Sequence, residues 1–166
     1  MGGTLPSLGH DIHGRTTHLL ALDSWHDWPS DLSLPSTHFC LLVAADAFDI
    51  RVDAISSFAA SSIDAGCAYL CAWGPGCKFV HDAFDQTAIG LGLVPPDKPV
   101  LITSWHPEVP IEEALEFLCV MTAPDEPFEA SCHAVVAAVI GNPLWADAAK
   151  RFLAAEPAGF WVPKTQ

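Results

Sequence analysis

The sequence predicts an α/β domain in which a parallel sheet is covered by helices on both faces. Nearly continuous apolar runs of strand length recur at His38–Ala45, Cys67–Trp73, Pro99–Thr103 and Cys132–Ile140, as expected of strands buried on both faces. Each run is followed by a stretch whose apolar residues return at helical spacing. Strict alternation of strand and helix implies right-handed crossovers and a doubly wound sheet.

Composition narrows the class further. With 166 residues and 51% hydrophobic content, the chain fits one domain that needs no metal or disulfide staple for stability. Twenty acidic residues against seven Lys and Arg give a formal net charge of −13. That charge repels nucleic acid and an anionic membrane surface, while a basic protein partner or a cationic ligand is attracted. Six cysteines at irregular spacing fall mostly inside apolar stretches, with no Lys-rich start and apolar leader. This pattern points to reduced thiols in a cytoplasm. No apolar run reaches the ~18 residues of a membrane span.

Residues 1–37 are rich in Gly, Pro and Trp and poorly patterned, which suggests a mobile arm and a loop covering the core, with Trp25 and Trp28 as anchors. His18–Leu22 has the pattern of a short edge strand, and His10, His13 and His18 read as solvated loop histidines. The α/β domain is expected to span 38–156, with a tail over 157–166. Its first strand begins at His38, and Val52, Ile55, Ala59 and Ile63 form the inward face of the first helix until Gly66 stops it. The second strand, Cys67–Trp73, turns through Gly74-Pro75-Gly76 into a helix opening at Cys77, with Val80, Phe84, Thr87, Ala88 and Leu91 as its buried stripe.

Beyond a Pro95-Pro96-Asp97 loop, Pro99–Thr103 is the third strand, and Ser104 to Glu108 form its exit loop. Pro110 suits the first position of the next helix, where Glu112 and Glu113 favour the dipole. Ala123–Ser131 is a loop. Cys132–Ile140 reads as the fourth strand, its alanines leaving a helical alternative open. Asn142 can cap the last helix, with Pro143 at its first position.

Four such units make a three-layer sandwich of the flavodoxin or Rossmann-like kind, with an expected strand order of 2-1-3-4. That order sets Asp46 and Asp49 across a crevice from Ser104, His106 and Glu108, with Cys77 nearby. The carboxyl edge of the sheet is then the place for a ligand. Asp46, Asp49, Trp73, Gly74, Ser104, Trp105, His106, Glu108 and Asn142 are the binding candidates. Cys77 in the first turn of a helix has a position that stabilises a thiolate, with His81 one turn later on the same face. A nucleophile, base and orienter from Cys77, His106 (or His81) and Asp46 is the corresponding catalytic arrangement. Equally, Cys77 lies on the apolar stripe and can be a small buried residue.

Ala72–Lys78, AWGPGCK, resembles the thioredoxin active-site run, in which a strand ends in Trp and Cys-Gly-Pro-Cys-Lys opens a helix. Gly74 holds the place of the first, attacking cysteine, so the exchange cycle of that family is not expected here. A zinc site from Cys67, Cys71, Cys77 and His81 is disfavoured. Strand alternation puts Cys67 and Cys71 on one face about 13 Å apart, too far for both to reach one ion. Asp46, Asp49 and Glu108 have the character of a divalent cation site, although Asp49 fits a helix cap more simply. The first turn carries no dinucleotide fingerprint and the chain no Walker lysine motif, and no cofactor is expected.

The function expected is that of a small acidic cytoplasmic binding domain. It recognises a basic protein partner, as inhibitors and immunity proteins do, or a small ligand at the sheet's carboxyl edge. A cysteine-dependent hydrolase or transferase using Cys77 is the alternative.

Overall fold

Three of the four apolar runs are strands along nearly their whole length, the run Pro99–Thr103 gives only its last two residues to a strand, and two more strands precede them. The computed structural model describes residues 4–93, 99–155 and 157–158. One six-stranded sheet is formed by β1 (Gly9–His10), β2 (Thr16–Leu22), β3 (His38–Ala44), β4 (Cys67–Trp73), β5 (Ile102–His106) and β6 (Cys132–Ile140), in the order β1-β2-β6-β3-β4-β5. Every neighbouring pair is parallel except β1 with β2. The fold is therefore α/β with a mixed sheet, not one of four parallel strands.

The order 2-1-3-4 is also overturned. The third expected strand lies outside the second, and the fourth lies beside the first. Burial explains why. β6 is a nine-residue strand buried along almost its whole length, which only a central position allows. β5 has five residues, all at least partly exposed, and takes the edge. The other flank of β6 is covered by β2, paired in register from Thr16 with Ala134 to Leu22 with Ile140. Part of the expected arm is thus a full strand. β5 also starts later than its β-branched run suggested, so Ser104, Trp105 and His106 belong to the strand and not to its exit loop.

The Pro95-Pro96-Asp97 loop lies outside the described residues. So does the tail beyond Ala158, which itself pairs with Asp11 in an isolated bridge.

Helices cover both faces. On one lie α1 (Val52–Ala65) and α2 (Cys77–Gly90), packed on Leu41, Val43, Leu70 and Val136. The 23–37 loop extends this layer: Trp25 meets Phe58 edge to face at 5.3 Å, and Trp28 does so at 5.2 Å. On the other face lie α3 (Ile111–Glu116), which widens into a π turn over Phe117–Met121, and α5 (Pro143–Leu153). These pack on Leu42, Tyr69, Val135 and Val139. The short α4 (Glu126–Glu129) interrupts the expected 123–131 loop.

Local signals act as their chemistry dictates. Gly66 ends α1 at φ 118°, and a Cβ there would stand 2.2 Å from the Thr37 carbonyl oxygen. The Asn142 side chain accepts from the Trp145 N–H at 3.1 Å with Pro143 following. Of the buried stripe expected on α2, Cys77, Val80, Phe84 and Ala88 are inside, but Leu91 is exposed beyond the helix end.

Two buried polar groups tie the N-terminal segment down. The Arg15 guanidinium meets the Asp11 carboxylate at 2.8 Å, both side chains being almost wholly buried. It also donates to the carbonyls of Leu118 (3.3 Å), Cys119 (3.3 Å) and Thr122 (2.9 Å) at the π turn.

His18, expected in solvent, is buried in β2. Its Nδ1 faces the carbonyl oxygens of Leu5 and Pro6 at 3.1 and 3.0 Å and so carries the proton, while Nε2 is 2.8 Å from the Thr16 hydroxyl. Burial holds the His18 pKa below its ordinary value, against the raising effect of those carbonyls. The unfolded chain then binds the extra proton more readily than the native one. Stability from this group is complete above the ordinary histidine pKa of about 6.5 and is lost as pH falls below it. Denaturant midpoints measured from pH 7.5 to 5.5 are expected to fall more steeply in the parent than in His18→Gln, and parallel profiles would exclude the effect.

Candidate functional site

At the end of β4 the chain doubles back through Gly74 and Gly76, at φ 110° and 72°, conformations that glycine adopts without steric cost. The turn presses on the exit loop of β3. A Cβ at Gly74 would lie 2.2 Å from the Ala45 carbonyl oxygen, and the Ala47 N–H donates to the Pro75 carbonyl at 2.8 Å. This contact sets Phe48 beside Phe79 of α2, with ring centroids 6.1 Å apart. Both rings are more than half exposed.

Between these rings and the β5 exit loop opens a cleft of about 610 Å³, whose lining is mostly apolar. Its floor is the Gly74-Pro75-Gly76 turn with Cys77, and Pro107, Glu108 and Val109 form the far side. Trp73 pins that side by donating its indole N–H to the Val109 carbonyl at 2.7 Å. Trp105 closes the cleft against α2: the His81 ring packs on it at a tilt of 56°, centroids 4.4 Å apart, and Lys78 Nζ lies 5.8 Å from its ring centre. Lys78 is meanwhile paired with Asp82 at 2.9 Å.

Several of the expected residues are gathered here and others are not. Trp73, Gly74, Cys77, Trp105 and Glu108 all line the cleft. Cys77 is almost fully buried among apolar neighbours, and that burial pushes its thiol pKa up, opposed by the His106 backbone N–H and the amides of the helix start. His81 is occupied elsewhere, with Nδ1 3.0 Å from Asp82 and Nε2 3.5 Å from Asp85.

The His106 ring lies on the opposite face of the sheet from Cys77, against Phe117 at 4.4 Å and hydrogen-bonded with the Ser104 hydroxyl at 2.9 Å. Burial lowers its pKa. Asp46 is exposed and accepts from the Phe48 N–H at 3.0 Å, as an Asx turn does. The crevice expected between Asp46, Asp49 and the β5 end does not form, because β4 runs between β3 and β5. Nor does Cys77 meet His106 and Asp46 as a nucleophile, base and orienter.

The winding of this sheet instead reverses between β3 and β6, from which α1 and α5 leave toward opposite faces. Asn142 stands at the end of β6, its side chain spent on capping α5. Asp49 and Glu108 adopt positive φ of 64° and 59° in their loops. Cys67 and Cys71 lie in different layers of the core. The register shift that leaves Ala68 unmatched opposite Phe39 and Cys40 reverses the alternation from which one face was expected. Among the described residues no three His, Cys, Asp or Glu side chains converge as a metal site.

A family model described as a domain of unknown function, DUF7684, matches residues 17–156. The chain belongs to that family. Neither a curated protein nor a solved structure matches it. The DUF7684 match begins inside β2, the strand that the apolar runs alone left within an arm. It takes in the whole β3–α5 region and every residue lining the cleft.

Phe48, Phe79 and Val109 were not among the residues singled out from the sequence. Phe79 carried a readable signal, since it is a large ring outside the buried stripe of an amphipathic helix. Phe48, flanked by Ala47 and Asp49 in a loop, gains its meaning only from the Gly74 contact. No helix among the described residues is long and apolar enough to cross a membrane.

Proposed function

We propose that this DUF7684 domain is a binding module of a reducing cytoplasm, whose cleft at the ends of β4 and β5 takes a large apolar side chain from a positively charged polypeptide segment. The observation that carries the reading is the apolar cleft itself, with Phe48, Phe79 and Trp105 exposing 56%, 54% and 42% of their surface around it. Exposed rings grouped around a concavity are what binding hot spots use, because they offer large contact area at small entropic cost. Charge supports the choice of occupant. Glu108 at the mouth and Asp46 and Asp49 on the Phe48 loop are all exposed, on a chain of net charge −13. Lys78, the cation lining the cleft, is already paired with Asp82. Such a surface accelerates association with a basic partner, while the buried ring contacts set the lifetime of the complex.

The test is a titration of the ¹⁵N-labelled protein with a synthetic peptide of about ten residues, rich in Lys and Arg around a central Phe-Leu pair. Shifts are expected at Phe48, Gly76, Phe79 and Glu108, weakening as salt is raised. Trp105→Ala is expected to loosen binding by more than about tenfold. An unshifted cleft, or identical binding by a peptide with Ser-Ser in place of Phe-Leu, would refute the reading.

A further inference from the structure

Six thiols are buried in this domain and none is in a disulfide. Two of them form a pair unlike the rest. Cys40 of β3 and Cys132 at the start of β6 are 92 residues apart in sequence, yet their sulfurs are 3.7 Å apart. A register shift brings this about. His38 pairs with Cys132 and Phe39 with Ala134, leaving His133 unmatched, so Cys132 turns to the same core layer as Cys40. Arg15 Nη1 lies 3.4 Å from the Cys40 sulfur, a fixed cation beside the pair.

The site is also reachable. A second cleft of about 360 Å³ opens at the amino-terminal rim of the sheet, where Cys132, Arg15 and Thr122 form part of the wall with His133 and Glu129 beside them. Cys132 is 6% exposed to this cleft while Cys40 is wholly enclosed behind it. A small solute therefore meets Cys132 first.

The geometry points to an oxidisable dithiol, in which Cys40 and Cys132 are converted to a disulfide by hydrogen peroxide entering through this cleft. The site is separate from the peptide cleft at the opposite rim of the sheet and does not depend on that reading.

The hydrogen bond from Cys132, aided by Thr122 and Arg15, lowers the Cys40 pKa to about 7 against the opposing effect of burial. Burial instead pushes Cys67, Cys71, Cys77 and Cys119 upward, and the bond to Cys40, together with burial, raises Cys132, so the shared proton rests on Cys132. The pair thus holds a single proton near neutral pH, and a thiolate is the form that reacts with peroxide. The shared proton passes to Cys40 along the sulfur–sulfur contact, and the Cys132 thiolate attacks one peroxide oxygen, forming the S–O bond and breaking O–O. The departing hydroxide takes the proton from Cys40 and leaves as water. The Cys40 thiolate then attacks the Cys132 sulfenic sulfur, forming S–S and expelling hydroxide. Two sulfurs each lose one electron and peroxide gains two. The sulfurs close from 3.7 Å to the roughly 2 Å of a disulfide, and the bulge at His133 is where the backbone can yield.

The experiment treats the folded protein with a few equivalents of hydrogen peroxide near pH 7.5. The mixture is then quenched by unfolding in excess N-ethylmaleimide and mapped by mass spectrometry. The expected product has lost two hydrogens, carries a Cys40–Cys132 cross-linked peptide, and has Cys67, Cys71, Cys77 and Cys119 alkylated. The pair is expected to oxidise at least about tenfold faster than any other thiol, a preference that disappears when peroxide is added in denaturant. Cys132→Ser should abolish the cross-link. Recovery of both Cys40 and Cys132 alkylated after the peroxide is consumed, or oxidation distributed equally over the six thiols, overturns the proposal without recourse to any variant.

Discussion

Arg15→Met is expected to destabilise the protein by about 3–5 kcal/mol, the range for removing one partner of a buried ion pair. The side chain is 8% exposed and that of Asp11 is fully enclosed, so solvent has no direct access to the carboxylate. Asp11 would keep its bonds from the backbone N–H groups of His13 and Arg15, at 2.9 and 3.0 Å, but its charge would have no counterion. The carbonyls of Leu118, Cys119 and Thr122 would lose a donor together. Burying such groups unpaired is the costly half of the asymmetry in hydrogen-bond energetics. The measurement is denaturant unfolding, read as a lowered midpoint at unchanged slope. The double variant Asp11→Leu/Arg15→Met should recover part of the loss, because an apolar pair of similar volume leaves no stranded charge. A single variant within about 1 kcal/mol of the parent would show that the guanidinium is not a structural anchor.

Gly74→Ala is the second large effect, with an expected loss of about 2–6 kcal/mol. The figure combines roughly 1–3 kcal/mol for a side chain at a disfavoured φ with 1–3 for forcing atoms into a packed space. Here φ is 110°, and the new methyl would stand 2.2 Å from the Ala45 carbonyl oxygen and 3.1 Å from its carbon. Backbone meets backbone, so no side chain can rotate away. Relief has to come from parting the β3 and β4 exit loops, which also moves Phe48 away from Phe79. The variant should therefore unfold at lower denaturant and bind the basic peptide more weakly than its residual folded fraction accounts for. Gly92→Ala is the control: its φ is also positive, at 80°, but nothing lies within 4 Å of the added carbon. Equal losses at the two positions would refute the argument from crowding.

What was legible in the sequence was local. The Cys77 helix start, the Gly66 stop and the Asn142-Pro143 cap are each set by residues within a few positions of one another, and each stands where expected. Strand order is not local. A run such as Cys132–Ile140 announces its burial but not its neighbours, and β6 becomes central only because Thr16–Leu22 supplies an outer partner. Single-residue register shifts are similarly silent. One reverses the alternation between Cys67 and Cys71, another turns Cys132 toward Cys40, and neither leaves a mark in composition. The candidate site divides in the same way. Cys77, Trp105 and Glu108 were readable because they flank strand ends, whereas the separation of Cys77 from the His106 ring follows from the two lying on opposite faces of the sheet.

The π turn has a consequence for chain length. One more residue per loop than an α turn, closed by the Thr122 N–H on the Phe117 carbonyl at 3.2 Å, aims the carbonyl oxygens of Leu118, Cys119 and Thr122 at a single planar cation. Deleting one residue from 117–121 would rewind the segment to ordinary pitch and rotate everything after it by about 100°, so that Thr122 would face away from the guanidinium. The spacing between Ile111 and Thr122 is for that reason a ruler cut to Arg15, and a homologue that lacks Arg15 is free to be one residue shorter.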